Sequence, residues 1–217
     1  MSDGFDDWLD RVQAFYGDLA RNNTRDWFEP RKDAWKRDIE GPAKLLAEIM
    51  AEEIARISGD AHRPKLFRIH RDVRFSKDKS PYKTMLAMLW APPGGGETAP
   101  AFYFGVEPAA TFVGCGMPGL GKDGLVRYRA MVDAHGDELA GLIAASGGRL
   151  ADIGPEPLKR VPKPYAPDHP HGDLLRRKAL ALGLPLPDDW RDAGLVPALT
   201  ARIERLLPFR DLLVRQL

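Results

Sequence analysis

The spacing of apolar residues changes twice along the chain, and this change constrains the fold more than any other feature. Over residues 5–57 the apolar side chains recur at three- and four-residue steps, which predicts amphipathic helices. Between Lys65 and Gly116 the apolar runs become short, which is typical of strands. From Lys122 onward the helical spacing returns. The sequence therefore predicts helices, then strands, then helices.

Turn-forming residues predict where these elements begin and end. Asn22-Asn23 is expected to end the first helix, because Asn tolerates the left-handed backbone found at helix ends. Thr24 is placed to cap the second helix. Gly41-Pro42 is expected to separate the second helix from the third, with Pro42 in the first turn of the third. The strand-like runs lie at residues 66–71, 85–91, 101–106 and 111–115, with a turn at residues 92–96.

The short connections between these runs predict an antiparallel meander, because parallel strands need a longer crossover. We therefore predict an α+β fold with N-terminal helices, a central antiparallel sheet of about four or more strands, and C-terminal helices packed against the sheet. The last helical segment, residues 195–217, is expected to be interrupted at Pro208. The chain has 217 residues, of which 44% are hydrophobic, so we expect residues 1–217 to form a single domain with a substantial core.

Composition also predicts the compartment and excludes some kinds of site. The apolar runs are shorter than the roughly 20 residues that span a bilayer, and the acidic N-terminus lacks the layout of a signal peptide. We therefore expect a cytoplasmic protein with no membrane partner. Cys115 is the one cysteine, so an intrachain disulfide and a cysteine zinc cluster are excluded. It lies in an apolar run, where a buried, inert thiol is expected.

A basic segment between Arg68 and Lys83 is the strongest functional feature of the sequence. It reads RIHRDVRFSKDKSPYK, with six basic side chains and two acidic ones, whereas the whole chain has a formal net charge of +1. Guanidinium groups match the oxygens of carboxylate and phosphate in bidentate geometry. The local excess of positive charge therefore predicts a binding site for a small anion.

The same segment carries a family resemblance. Its pattern, R-x-x-R-D-x-R-F-x-x-D-K-x-P-Y-K, resembles the signature of a bacterial family catalogued as domain of unknown function 2461. Asn22-Asn23 followed by Trp27-Phe28 resembles that family's N-N-x-x-x-W-F element. The resemblance continues nearly to the end of the chain, through Gly114 and Gly116, residues 158–163, His169-Pro170 and residues 174–178. It implies no particular activity, so the expected chemistry depends on the residues themselves.

A regular strand over residues 66–74 would place alternate side chains on opposite faces. Arg71 would then share the apolar face with Ile69 and Val73, and we expect it to be partly buried. It would need a distant acid or a bound anion as its partner, because Asp72 would point the other way. Asp72 is instead expected to orient a neighbouring arginine, and Asp78 a neighbouring lysine.

Two side chains of the segment allow two roles each. His70 is either a general base near neutral pH or a structural residue. Tyr82 either donates its hydroxyl to a ligand or fills the core. The sequence leaves both choices open.

A second basic patch follows a Pro-rich segment at residues 155–170. We expect this loop, with His169 and Lys178, to close over the basic segment. His169 and His171 flank Pro170 and have the spacing of a metal-binding pair, but a third ligand is missing and the neighbouring residues are basic. We therefore predict no metal and no cofactor. The predicted ligand-binding residues are Arg68, Arg71, Asp72, Arg74, Lys77, Asp78, Lys79, Tyr82, Lys83, His169 and Lys178.

Three functions remain open at this point. The first is a pocket for a small anion that bears phosphate or carboxylate. The second is a nucleic-acid-associated protein that uses both basic patches and aromatic stacking, although the near-neutral total charge is unlike that of a dedicated nucleic-acid coat. The third is a structural or interaction module in which the basic motif is a fold-stabilising ion network. The sequence shows neither a catalytic triad nor paired catalytic carboxylates, so whether the protein is an enzyme stays open.

Overall fold

A computed structural model describes residues 4–95 and 99–217. The helices are α1 (Asp6–Arg21), α2 (Arg25–Phe28), α3 (Lys32–Trp35), α4 (Gly41–Ser58), α5 (Lys122–Ser146), α6 (Gly172–Leu175), α7 (Trp190–Ala193) and α8 (Leu195–Gln216). The strands are β1 (Arg63–Leu66), β2 (Leu86–Ala91), β3 (Ala101–Val106), β4 (Thr111–Met117), β5 (Arg149–Leu150) and β6 (Leu180–Pro185). The fold is α+β, as predicted. The turn predicted at residues 92–96 lies partly outside the described residues.

The Asn pair ends α1 as predicted, but by a different mechanism. Asn22 has φ −133° and ψ 45°, which lies outside the left-handed region. Its side-chain amide donates to the Asp18 carbonyl at 2.9 Å, so the side chain satisfies a carbonyl of the last turn. Thr24 caps α2 as predicted, because its hydroxyl accepts the Trp27 N–H at 3.3 Å.

Gly41-Pro42 does not interrupt the helical path, so the predicted separation was wrong, although Pro42 lies in the first turn of α4 as predicted. A 3₁₀ turn at Glu29–Arg31 joins α2 to α3, and a π turn at Lys36–Glu40 joins α3 to α4. The Gly41 N–H donates to the Lys36 carbonyl, five residues back. A proline ring crowds the carbonyl four residues before it in an α-helix, and the wider π turn relieves that conflict. The predicted interruption of α8 at Pro208 is also wrong, because the helix continues through it.

The sheet is antiparallel, with six strands in the order β1-β2-β3-β4-β6-β5. The strands β2, β3 and β4 form the predicted meander at nearly the predicted residues. In contrast, β1 lies earlier than expected. Neither β5 nor β6 was predicted, and both lie after Lys122, where the spacing predicted helices. In a short apolar run such as β6, the spacing of the residues does not distinguish a strand from a helix. The run becomes a strand because it pairs with β4 and β5.

The described residues form two compact units that interlace along the chain. The first contains the chain up to Trp90, Tyr103–Val113 and Pro185–Arg202. Its core includes the fully buried side chains of Trp8, Leu46 and Trp90. The Trp90 Nε1–H donates to the Ala47 carbonyl at 2.8 Å, which satisfies the one polar atom of that ring. The single domain predicted from chain length stays a prediction.

The second unit contains Ala91–Phe102, Gly114–Leu184 and Ile203–Leu217. Its buried Tyr128 donates from its hydroxyl to the Leu174 carbonyl at 2.8 Å. Gly116 has φ +147°, and a Cβ there would lie 2.1 Å from the Leu180 carbonyl oxygen, so glycine is required for β4 to approach β6. Cys115 is buried as predicted, and burial raises the pKa of its thiol. Among the described helices, none is both long and apolar enough to cross a membrane.

Candidate functional site

The basic segment forms a loop where the sequence predicted a strand. Beyond β1 the chain makes an isolated antiparallel bridge between His70 and Tyr82. The Arg71 N–H donates to the Pro81 carbonyl at 2.9 Å, and the Lys83 N–H donates to the Ile69 carbonyl at 2.7 Å. These bonds close a loop over residues 72–80, which we call the basic loop.

Local hydrogen bonds of two acidic side chains explain why the basic loop is not extended. The Asp72 carboxylate accepts the Arg74 N–H at 3.3 Å. The Asp78 carboxylate accepts the Ser80 N–H at 2.9 Å and the Ser80 hydroxyl at 2.6 Å. Aspartate that bonds the backbone two residues ahead stabilises a turn and competes with strand pairing. The alternation predicted for this segment therefore ends at the bridge.

Arg71 cross-links the two ends of the basic loop. Its side chain is 28% exposed, which agrees with the predicted partial burial. Its Nη1 donates to the Asp78 carboxylate at 2.5 Å and to the Ser80 carbonyl at 3.2 Å, while Nη2 lies 3.4 Å from the Ser76 hydroxyl. Asp78 is thus the distant acid that Arg71 needed. The prediction that Asp78 would orient a neighbouring lysine was wrong.

Asp72 pairs with Arg74, which confirms that it orients a neighbouring arginine. The pair is bidentate, with Nε to Oδ1 at 2.9 Å and Nη2 to Oδ2 at 2.6 Å. The hydrogen bond from Arg74 lowers the pKa of the Asp72 carboxyl. The basic loop therefore neutralises its one arginine, Arg74, internally.

The pKa of Asp78 is lowered to about 2, first by the Ser80 hydroxyl, then by the Ser80 N–H and by Arg71. An unfolded aspartate titrates near 3.9. The stabilisation from the ionised carboxylate is therefore fully present above that pH, and it is lost as the pH falls through about 2. The Asp78 carboxyl is therefore ionised at neutral pH, which is the form that accepts the hydrogen bonds of Ser80 and Arg71.

Three cations beside the basic loop have no carboxylate partner among the described residues. These are Lys65, Arg68 and Lys83, which we call the Phe67 cluster. The ammonium nitrogens of Lys65 and Lys83 lie over the Phe67 ring, 5.3 and 5.2 Å from its centroid. Loss of hydration, then the charges of Arg68 and Lys65, lower the pKa of Lys83. The cluster is a concentration of uncompensated positive charge.

A groove of about 520 Å³ lies next to the Phe67 cluster. It brings together some of the predicted site residues and leaves out others. Arg74 is engaged by Asp72, and Lys79 donates to the Val73 carbonyl at 3.0 Å. The groove is lined by Ala20, Asn23, Arg71, Asp78, Ser80, Tyr82, Lys83, Thr84 and Met85. The predicted residues Arg68, Asp72, Arg74, Lys77 and Lys79 are not part of this lining.

Asn23 attaches the groove to the turn between α1 and α2. Its side-chain Nδ2 donates to the Tyr82 carbonyl at 2.9 Å, and its Oδ1 accepts the Tyr82 N–H at 3.1 Å. One amide thus satisfies both backbone groups of a residue 59 positions away. The sequence predicted that Asn23 shapes a turn, but it gave no signal for this long-range pairing.

Tyr82 is part of the core, in agreement with one of its two expected roles, and it also lines the groove. It is 1% exposed, and its ring packs against Phe28 at 4.4 Å and His70 at 5.2 Å between centroids. Burial raises the pKa of its hydroxyl. The buried ring therefore fixes the base of the basic loop, and Asn23 binds the backbone of the same residue.

In the second unit, two His–Asp pairs join the Pro-rich segment to α5. The His169 Nε2 lies 3.1 Å from the Asp133 carboxylate, and the His171 Nε2 lies 2.9 Å from the Asp137 carboxylate. The His169 Nδ1 accepts the His171 N–H at 3.0 Å, so Nε2 carries the hydrogen and donates it to Asp133. Within the described residues, no group of three or more His, Cys, Asp or Glu is placed to hold a metal ion.

Lys178 lies elsewhere in the second unit. It lines a smaller hollow of about 200 Å³ together with Arg177, Asp152 and Glu156. The predicted closure of this region over the basic segment stays a prediction.

A kink in α5 makes room for the imidazole of His171. His135 departs from helical geometry, with φ −129° and ψ 24°. A Cβ on the next residue, Gly136, would lie 2.1 Å from the His171 Cδ2. The ring therefore occupies the space that any side chain at position 136 would need.

One family model matches residues 11–211 of the 217. The chain belongs to the family described as conserved hypothetical protein (DUF2461). This confirms the resemblance carried by the basic segment. A search of the curated proteins finds no match. The DUF2461 match includes both the Asn pair and the basic segment, which are the two elements that the Asn23–Tyr82 pairing joins.

Replacing Asn23 should destabilise this DUF2461 protein much more than replacing its neighbour. Asn23→Ala leaves the N–H and carbonyl of the buried Tyr82 unpaired, and we expect a loss of roughly 2 kcal/mol in unfolding free energy. Asn22→Ala is the matched control, because its amide caps an exposed helix end, and we expect a loss of about 0.5 kcal/mol. Urea unfolding of both variants measures the difference. Equal losses would contradict the role assigned to Asn23.

Two glycines of α5 should respond in opposite directions to substitution by alanine. Gly136→Ala drives a Cβ into His171, and we expect overpacking to cost roughly 1–3 kcal/mol. A Cβ at Gly141 would have no atom within 4 Å, so Gly141→Ala should stabilise by about 0.5–1 kcal/mol. Urea unfolding gives the sign, and limited proteolysis of residues 155–171 shows whether the segment is released. Changes of the same sign would contradict the proposed packing.

Proposed function

We propose that the protein binds a small anion, bearing phosphate or carboxylate, in the groove beside Lys83. The observation that carries this proposal is the Phe67 cluster, in which three cations lack a carboxylate partner in the described part of the chain. Holding like charges close together costs Coulomb energy, and a bound anion would offset that cost. Lys83 belongs both to the cluster and to the lining of the groove.

Arg71 supports the proposal as a second, pre-oriented donor. Its guanidinium is fixed by Asp78, Ser76 and the Ser80 carbonyl, while its Nε has no hydrogen-bond partner among the described residues. A guanidinium already held in one orientation loses little conformational entropy when a ligand binds. The volume of about 520 Å³ lies within the range of small-molecule sites.

The ion pairs of the basic loop indicate that some charged residues of the motif stabilise the fold while others can bind a ligand. Asp72 with Arg74, and Asp78 with Arg71, form the ion network that a structural module would need. The cations outside these pairs are then the ones available to a ligand. The proposed site is therefore narrower than the set predicted from the sequence. Lys83 is its main charge, Arg68 lies near Lys83 but outside the groove lining, and Arg71 offers N–H donors although its charge is paired with Asp78.

Thermal unfolding with and without inorganic phosphate tests this function. A ligand that binds only the folded state stabilises by about 2.7 kcal/mol at a hundredfold excess over its Kd, so we expect phosphate to raise the Tm. Lys83→Ala should weaken binding by about 10–100-fold, as expected for the loss of a charge-assisted hydrogen bond. Lys44→Ala is the control, because Lys44 is 63% exposed and paired with Glu40 at 3.1 Å. The proposal would be contradicted if the Tm rises neither with phosphate nor with succinate, which tests a carboxylate ligand, or if the Lys83 and Lys44 variants have equal effects.

Arg71→Ala distinguishes binding from architecture in the same assay. Without phosphate, we expect the free energy of unfolding to fall by roughly 1–3 kcal/mol, because the charge-assisted hydrogen bond to the Ser80 carbonyl is lost. When phosphate is added, we expect the Tm of the variant to rise by less than that of the unmodified protein. If the variant is destabilised by this amount but phosphate raises its Tm as much as that of the unmodified protein, Arg71 stabilises the loop and does not bind the ligand.

One observation favours a second candidate, association with single-stranded nucleic acid. Phe75 is 96% exposed in the basic loop, and the Arg74 guanidinium lies 5.9 Å from its ring centroid. Lys77 has no ion-pair partner among the described residues. An exposed ring among cations suits a base stacked on the aromatic face and a phosphate nearby.

Binding of labelled single-stranded DNA and RNA at two salt concentrations tests this candidate. Phe75→Ala should weaken binding by about 5–150-fold, which corresponds to the roughly 1–3 kcal/mol of base–aromatic stacking. Val126→Ala is the control, since Val126 is also an exposed apolar residue, at 64%. Affinity should fall steeply with salt as counterions are released. Absence of binding at low salt would remove the candidate.

A further inference from the structure

We propose that Lys83 is a carbonyl-reactive amine, and that the groove takes an anionic aldehyde or ketone which condenses with Lys83 Nζ to form an imine. This inference rests on the proposed anion site and deepens it, because it names the chemical class of the ligand. The cations of the site would hold the phosphate or carboxylate of the ligand while its carbonyl carbon faces the amine.

The placement of Lys83 differs from that of an ordinary surface lysine. Its backbone is fixed between the buried Tyr82 and the hydrogen bond to Ile69, and its side chain is partly buried at the wall of the groove. Its Nζ has neither a carboxylate partner nor a hydrogen-bond acceptor among the described residues. Lys44, in contrast, is exposed and paired with Glu40. Nothing in the described structure holds the Lys83 side chain in its charged form except the Phe67 ring.

The charges around Lys83 favour its neutral form. Loss of hydration by burial, and then the like charges of Arg68 and of Lys65 on β1, lower the pKa of Lys83. Arg71 and Asp78 also line the groove, but they are paired with each other. The attraction of the Phe67 ring acts in the opposite direction, and Lys65 shares that ring. The neutral amine is the nucleophilic form of lysine, and like charge with desolvation is the usual way to obtain it.

The reaction needs no further reagent. The nitrogen lone pair of Lys83 adds to the carbonyl carbon, and the two N–H protons of the neutral amine pass through solvent to the carbonyl oxygen. Loss of that oxygen as water breaks the carbon–oxygen bond and leaves the imine. Amine and carbonyl are thus converted to imine and water, with no change in oxidation state.

Pyridoxal 5′-phosphate is a suitable probe, because it is an aldehyde that carries a phosphate. The protein is incubated with the probe, the imine is reduced to a stable amine with borohydride, and the modified lysine is located by peptide mass spectrometry. We expect Lys83 to be modified at least about tenfold faster than Lys44, because the neutral amine is the nucleophilic form of lysine and the neighbouring cations hold the phosphate of the probe beside it. Excess inorganic phosphate should slow modification of Lys83, and pyridoxal without the phosphate should react more slowly there.

Three measurements separate a reactive amine from a merely accessible one. As the pH is lowered, modification of Lys83 should persist to a lower pH than that of Lys44, because a lowered pKa keeps the amine neutral. Lys65→Gln should slow modification of Lys83 near neutral pH, since it removes a like charge. Lys83→Arg should abolish the label at position 83, because a guanidinium does not form the imine, whereas Lys44→Arg should leave the label on Lys83 unchanged.

The outcomes distinguish this inference from the proposed function. A phosphate-dependent rise in Tm with equal labelling of Lys83 and Lys44 would overturn the inference and leave the anion site standing. If Lys83 is labelled quickly, but excess phosphate does not slow the reaction and pyridoxal without its phosphate reacts equally fast, the ligand of the groove is not an anion. Loss of both the Tm rise and the selective label would overturn both proposals.

Discussion

The pairing of the Asn23 amide with the backbone of Tyr82 is the contact on which the candidate site depends. It substitutes for a strand neighbour at the base of the basic loop, and it fixes that base to the turn between α1 and α2. Because a primary amide is both donor and acceptor, one side chain satisfies a buried N–H and a buried carbonyl together. The groove, the closed loop and the position of Lys83 all follow from where Tyr82 is held. The DUF2461 signature thus joins two distant parts of the sequence through a single side chain.

The structure divides the charged residues of the motif into paired and unpaired ones within the described part of the chain, a difference that the composition of the segment does not show. Asp72 and Asp78 turn the chain and each engage one arginine, so these ion pairs shape the loop. Three cations without such partners in the described residues form the Phe67 cluster, and one of them, Lys83, also lines the groove. A basic motif can therefore be both an architectural network and a ligand site, with different residues in each role.

The sequence predicted the helices and the meander because amphipathic spacing and alternation are local properties. It failed at residues 66–74, where alternation suggested a strand, because aspartate side chains compete for the backbone and the outcome depends on the partners of Arg71. It also failed at β6, where a short apolar run becomes a strand through pairing with distant residues. For the site, the positive charge of the groove was predictable from Arg71 and Lys83. The role of Asn23 was not, since no local pattern encodes a contact with residue 82.

The late position of β6 has a consequence for how the chain reaches its fold during synthesis. β6 begins about 60 residues after β4 ends, which corresponds to roughly 3–12 s at ordinary translation rates. During that interval the edge of β4 has no partner and is a template for pairing with other chains. Gly114 and Gly116 lie in β4, and glycine in the interior of a strand weakens its pairing. The same residues that allow β6 to approach closely therefore keep β4 a poor nucleus for aggregation until β6 is made.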